Sequence, residues 1–285
     1  MPARAAKPRR KALLAKARTG DPEAECLLAE DLAFDDPKDL ARARRWYLRA
    51  ARQGHARAQN NLGCMFRDGR GGRRDWRRGV TWLRRAAAQG DPDAQVSLGF
   101  ALFYGRGVRR DQAEALQWYQ RASRQGHDRA MRNIGLMFLN GEGVRRDFER
   151  GMRWIRKAAE RGNVKAMLRL ADIFETGANG RRKNSPAAFR WTDRASDTGD
   201  AEAIMCLGVM YFNGRCVERD QELAADLYRI AADEDDWAKY LLGLCYRDGE
   251  GVRKRRGSAV MWFRAAAKRG IPEAVEALAA LGEKP

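Results

Sequence analysis

Histidine is almost absent from this 285-residue chain: only His55 and His127 occur, 72 positions apart. A histidine-based triad or a zinc centre needs such side chains to converge, so both start from a poor position. The five cysteines (Cys26, Cys64, Cys206, Cys216, Cys245) are odd in number and form no CxxC pair. They suit a reducing compartment better than a disulfide framework. No stretch approaches the roughly 20 apolar residues that span a bilayer, and the N-terminus lacks an apolar run of signal-peptide length. A cytoplasmic protein is expected. Lysine is scarce as well, with 11 residues against 45 arginines, and no segment shows the strict alternation of a strand.

The chain is otherwise rich in what makes a core and a charged surface: 44% hydrophobic, 33% charged, net charge +18. That apolar fraction argues against disorder. The arginine excess fits bidentate recognition of phosphate or carboxylate, and it fits codon usage in a GC-rich genome equally well.

Self-similarity dominates the chain. "YGRGVRRD" at 104–111 recurs as "LNGEGVRRD" at 139–147 and as "RDGEGVRKR" at 247–255, with weaker copies from Arg67 and Phe212. Arg73, Arg109, Arg145 and Arg181 keep a step of 36, as do the closing glycines Gly54, Gly90, Gly126 and Gly162. Seven units result: 21–54, 55–90, 91–126, 127–162, 163–199, 200–235 and 236–270. Residues 1–10 read as a basic flexible tail, 11–285 as one solenoid, and 271–282 as a C-terminal capping helix.

Each unit contains two helical patterns. The first carries apolar residues at helical spacing (Ala94, Leu98, Leu102) around a central glycine (Gly63, Gly99, Gly135, Gly208, Gly243) that admits a close neighbour. A Gly-x-Gly turn follows, where positive φ ends a helix. Then comes an N-capping aspartate (Asp75, Asp111, Asp147, Asp220), which "DQAE" extends to a capping box. Unit five replaces the turn with "TGANGRRKNSP", one residue longer, so a bend is expected there. "DEDD" at 233–236 replaces a closing glycine.

The pattern A-xxx-LG-xx-Y/F-xxG-x-GV-xx-D-xx-A-xx-WY-x-(R/K)AA-xxG resembles the Sel-one-like repeat, a relative of the tetratricopeptide repeat, over about residues 11 to 280. The resemblance implies an all-α, right-handed α/α superhelical solenoid of about seven 36-residue helix-turn-helix repeats plus half-repeat caps. Its first helices would line a concave face, family members typically act as adaptors between proteins, and a bacterial adaptor is the expectation for this chain. Some cysteine-rich members are linked to β-lactam binding, but their paired cysteine in each unit is missing here.

A nucleotide-binding glycine loop occurs once, between strand and helix, whereas this turn recurs and follows a helix. The two histidines fall at equivalent positions of different units, too far apart to share a substrate. No enzyme, metal or cofactor is expected. By analogy with the tetratricopeptide groove, the inward positions include Arg57, Asn60, Phe100, Tyr104, Arg129, Arg132, Asn140, Lys165, Trp237 and Tyr240. Basic residues alternate there with aromatics, which suits one or more protein partners offering an acidic or amphipathic segment. The alternative surface is the turn edge. There Arg73-Arg74, Arg109-Arg110, Arg145-Arg146 and Arg181-Arg182-Lys183 would stack as a ridge able to contact nucleic-acid phosphates.

Overall fold

The structure, a computed structural model, describes residues 3–35, 37–180 and 182–284. Among the described residues there are α-helices and short 3-10 turns but no strand. α1 (Ala3–Arg18) begins inside the segment read as a tail. Seven helical hairpins follow: α2 (Pro22–Asp35) with α3 (Leu40–Arg52), α4 (Ala56–Asp68) with α5 (Trp76–Ala88), and α6 (Pro92–Tyr104) with α7 (Gln112–Arg124). Next come α8 (Asp128–Asn140) with α9 (Phe148–Glu160) and α10 (Val164–Thr176) with α11 (Ser185–Ser196). The last pairs are α12 (Ala201–Asn213) with α13 (Gln221–Ala231) and α14 (Asp236–Asp248) with α15 (Arg256–Ala267), before α16 (Pro272–Ala280). The helices form a repeat solenoid of about 36-residue units, divided into two compact units at residues 1–154 and 155–285.

The turns explain the period. Gly105 ends α6 at φ +69°, and its amide donates to the Ala101 carbonyl. Gly107, also at φ +69°, seats on the previous repeat: a Cβ there would lie 2.4 Å from the Trp76 carbonyl carbon at the start of α5. The turn therefore both reverses the chain and sets the spacing to the preceding hairpin. Asn179 and Cys216 take the second left-handed position in repeats five and six. In repeat five the extra residue is absorbed by a 3-10 turn, Ala178–Gly180, and Asn184 caps α11 by accepting from the Ala187 amide.

The aspartates cap as expected. Asp75, Asp111, Asp147 and Asp220 each accept from the amide three residues on, at 2.8–3.0 Å. The capping box at Glu114 does not form. The Asp111 amide already donates to the Leu102 carbonyl, so the Glu114 carboxylate turns to Trp118 Nε1 (3.1 Å) and Arg84 (3.0 Å). At "DEDD", Asp235 caps α14 and Asp236 pairs with Lys239 and Arg269.

In residues 1–154 the core is built from alanines (Ala43, Ala50, Ala58, Ala86, Ala94, Ala122) and from Leu62, Leu83, Leu98 and Ile134, all wholly buried. In residues 155–285, Tyr228, Leu242 and Phe263 fill the same role. Burying each such large side chain contributes about 1.5–3 kcal/mol.

Candidate functional site

The first helices of repeats three and four form a cleft of about 250 Å³ within residues 1–154. Phe100 and Tyr104, one turn apart on α6, present their rings on one face, with centroids 4.6 Å apart. Phe103 meets Tyr104 edge-on at 4.8 Å, and Trp76 of α5 stacks behind Phe100. Despite these contacts Phe100 is 40% exposed and Tyr104 55%. Tyr119 of α7 forms the floor with Met137 of α8. It reaches this place because Gly99 has no side chain: a Cβ there would stand 2.6 Å from Tyr119 Cε1.

The far wall is α8, with Arg132, Asn133, Leu136 and Asn140, and Glu142 in the following turn. Arg132 Nη2 donates to Asn133 Oδ1 at 3.2 Å, while its Nε is buried with no hydrogen-bond partner. Desolvation lowers the pKa of this guanidinium from the usual arginine value. A partly desolvated cation with an unpaired N–H keeps hydrogen-bonding capacity that a carboxylate oxygen can satisfy.

The other groove positions behave differently. Arg57 bonds Glu23 (2.9 Å) and Glu30 (3.2 Å), and Arg129 bonds Asp93 (2.7 Å), the acids lying one repeat earlier. His55 and His127 complete the same arrangement through Nε2, at 2.8 Å from Glu23 and 3.1 Å from Asp93. Each histidine thus belongs to its own clamp between adjacent hairpins. Asn60, expected on the open face, is 8% exposed and turned toward Asn61. Lys165 is exposed on α10. Trp237 is exposed and meets Tyr240 edge-on, while Tyr240 is half-buried against Phe263.

At the turn edge the two arginines of each pair differ. In repeat four the second folds back, Arg146 Nε donating to the Leu139 carbonyl at 2.9 Å; in repeat six Arg219, which follows Glu218, does the same to Phe212 at 3.0 Å. Arg74 lies over Trp76, and the Cβ atoms of Arg74 and Arg110 pack beside Gly69 and Gly105. These residues finish the first helix by satisfying or covering its last carbonyls. Arg73, Arg74, Arg109, Arg110, Arg145 and Arg146 are all exposed, as are Arg182 and Lys183, whereas Arg181 lies outside the described residues. Further arginines are taken up by a ladder on the second helices. Arg49, Arg85, Arg121 and Arg194 stack on Trp46, Trp82, Trp118 and Trp191 at 4.4–5.5 Å. Each contact is worth about 0.5–1 kcal/mol. The ladder follows Trp-x-x-Arg, one turn of helix, and that spacing was open to view in the sequence.

Hairpins of this length and turn geometry, stacked at a constant period, define a helical-repeat protein of the tetratricopeptide-like class. The Sel1 repeat family model matches residues 22–55, 56–91, 92–127, 128–163, 164–200, 201–236 and 238–271, and the chain belongs to that family. Its fold is similar to a Sel1 repeat protein from Oxalobacter formigenes, with 30% identity and a TM-score of 0.76 over 95% of this chain and 80% of that one. It is also similar to c5321, a protective antigen of uropathogenic Escherichia coli displaying the same fold, with 31% identity and a TM-score of 0.71 over 95% of this chain. The chain spans 59% of the length of that antigen. The immunity protein Pa5087 from Pseudomonas aeruginosa shares the fold at 20% identity and a TM-score of 0.55, over 74% of this chain and 81% of that one. Comparison with curated protein sequences gives no match. Among the described residues no helix is long and apolar enough to cross a membrane.

Proposed function

We propose that this chain is a non-enzymatic protein-binding adaptor that takes an acidic or amphipathic segment of a partner against its first-helix face. The observation that carries this reading is the cleft itself. Exposed Phe100 and Tyr104 offer apolar anchorage beside Arg132, whose Nε lacks a partner. Anchors of this kind, with a charge in reach, are what concentrate binding energy in protein interfaces. The five free thiols suit a cytoplasmic setting.

Replacing Tyr104 with alanine and Arg132 with glutamate removes the ring and inverts the charge at exposed or half-exposed positions. Partner binding is expected to fall at least tenfold, which corresponds to about 1.4 kcal/mol. Far-UV circular dichroism of the variant checks that the helices remain. Undiminished binding would remove the cleft from the account.

A second reading is favoured by one observation: Arg73, Arg109 and Arg145 are exposed at equivalent turn positions. Such a row could contact nucleic-acid phosphates. Steep loss of duplex binding with salt, abolished by changing all three to serine, would establish it. The cleft variant would then bind nucleic acid as the native chain does.

A further inference from the structure

Resting on the protein-binding reading, the cleft has an additional property: its two ends carry opposite charge. Arg132 stands in the second turn of α8, and Glu142 follows the helix C-terminus, where its Oε2 accepts from Asn140 Nδ2 at 3.2 Å. Between them the walls are apolar, made by Phe100, Tyr104, Leu136 and Met137. Eight residues of helix separate Arg132 from Asn140, about 12 Å at the α-helical rise. An extended chain covers that distance in about four residues.

We infer that the cleft accepts a short extended dipolar segment, with an acidic side chain at Arg132, a basic one at Glu142 four residues away, and apolar side chains between them. Charge complementarity selects this occupant. A uniformly acidic segment would meet Glu142, and a uniformly basic one would meet Arg132 with Arg129 behind it. Two further charges act on Arg132: Arg129, already bonded to Asp93, and the Asp128 carboxylate, which partly offsets it. Either chain direction satisfies the pattern, because the charges of the cleft set the polarity and no backbone ladder does.

The test uses the full chain and three capped pentapeptides: Asp-Leu-Phe-Leu-Lys, Asp-Leu-Phe-Leu-Asp and Lys-Leu-Phe-Leu-Lys. Each is titrated while the Arg132 Nε–H and the Tyr104 amide are followed by NMR. The dipolar peptide is expected to shift both signals and to bind about fivefold more tightly than either of the others, the scale of a partly screened ion pair. Glu142→Arg should then transfer the preference to the doubly acidic peptide by a similar factor. This substitution suits the turn, because Arg70, Arg106 and Arg215 occupy the same position in other repeats. Equal binding of the dipolar and doubly acidic peptides at the cleft would overturn the dipolar inference and leave the protein-binding reading in place. Failure of all three to move either signal would overturn both.

Discussion

Alanine at position 99 should destabilise the protein although alanine is the better helix former. In an unobstructed helix the change gains about 1 kcal/mol. At Gly99 the new Cβ would lie 2.6, 2.9 and 3.1 Å from Cε1, Cδ1 and Cζ of Tyr119. The nearest of these is about an ångström short of the ~3.5–4.0 Å optimum for carbon atoms. Tyr119 is 2% exposed, so its ring can yield only by moving α7 away from α6 or by rising into the cleft whose floor it forms. Overpacking of this kind costs about 1–3 kcal/mol, which offsets the propensity gain and leaves a net loss of up to about 2 kcal/mol. Gly257 of α15 is the matched control, since a Cβ there meets nothing within 4 Å and its alanine variant should gain up to about 1 kcal/mol. Urea unfolding followed by far-UV circular dichroism measures both. Because Tyr119 is the cleft floor, Gly99→Ala should also weaken binding there, and Gly257→Ala should not. A Gly99→Ala midpoint equal to or above the native one would refute the close-packing argument.

Loss of the cap in Asp111→Ala should cost about 1 kcal/mol, whereas Glu114→Ala should cost clearly less because no capping box forms; the same unfolding assay separates them. Acid sensitivity follows from the clamps. The Asp93 and Glu23 carboxyls lie below their usual range, first through the hydrogen bonds from His127 and His55, then through the charges of those histidines and of Arg129 and Arg57. A depressed folded-state value gives stability that is present above the unfolded value near pH 4 and is lost as pH falls through the folded value. Asp93→Asn should therefore flatten the acid limb of stability below about pH 4, and an unchanged slope would contradict the clamp. In contrast with Arg73→Ser at the open turn edge, Arg146→Ser removes the bond to the Leu139 carbonyl and should lower stability by about 1 kcal/mol.

Most of the architecture was legible because it repeats. A glycine that ends one helix and a glycine that seats on the previous hairpin impose the same constraint every 36 residues, and the aspartate after them has one local job. These signals lie within a few positions of the residues they act on. What escaped the sequence acts across a full repeat or across two helices. His55 and His127 read as isolated side chains because their carboxylates stand 32 and 34 residues earlier. Arg146 read as a ridge residue because its target is a carbonyl seven residues back, exposed only once the helix ends. Phe100, Tyr104, Arg132 and Asn140 were reachable by analogy, yet Tyr119 and Glu142 were not, since one comes from a second helix and the other from a turn. Asn60 shows the opposite error: a position inward by pattern became buried beside Asn61 and Cys64.

In the proposed function a partner protein is held at the cleft between α6 and α8. Photocrosslinking from position 104, with benzoylphenylalanine in place of Tyr104, tests it most directly. The expected result is a crosslink to one segment of a partner that carries an acidic residue flanked by apolar ones, and its loss when Arg132 is changed to glutamate. A crosslink that persists with Arg132→Glu, or that forms only from position 109 on the turn edge and vanishes with nuclease, would contradict it.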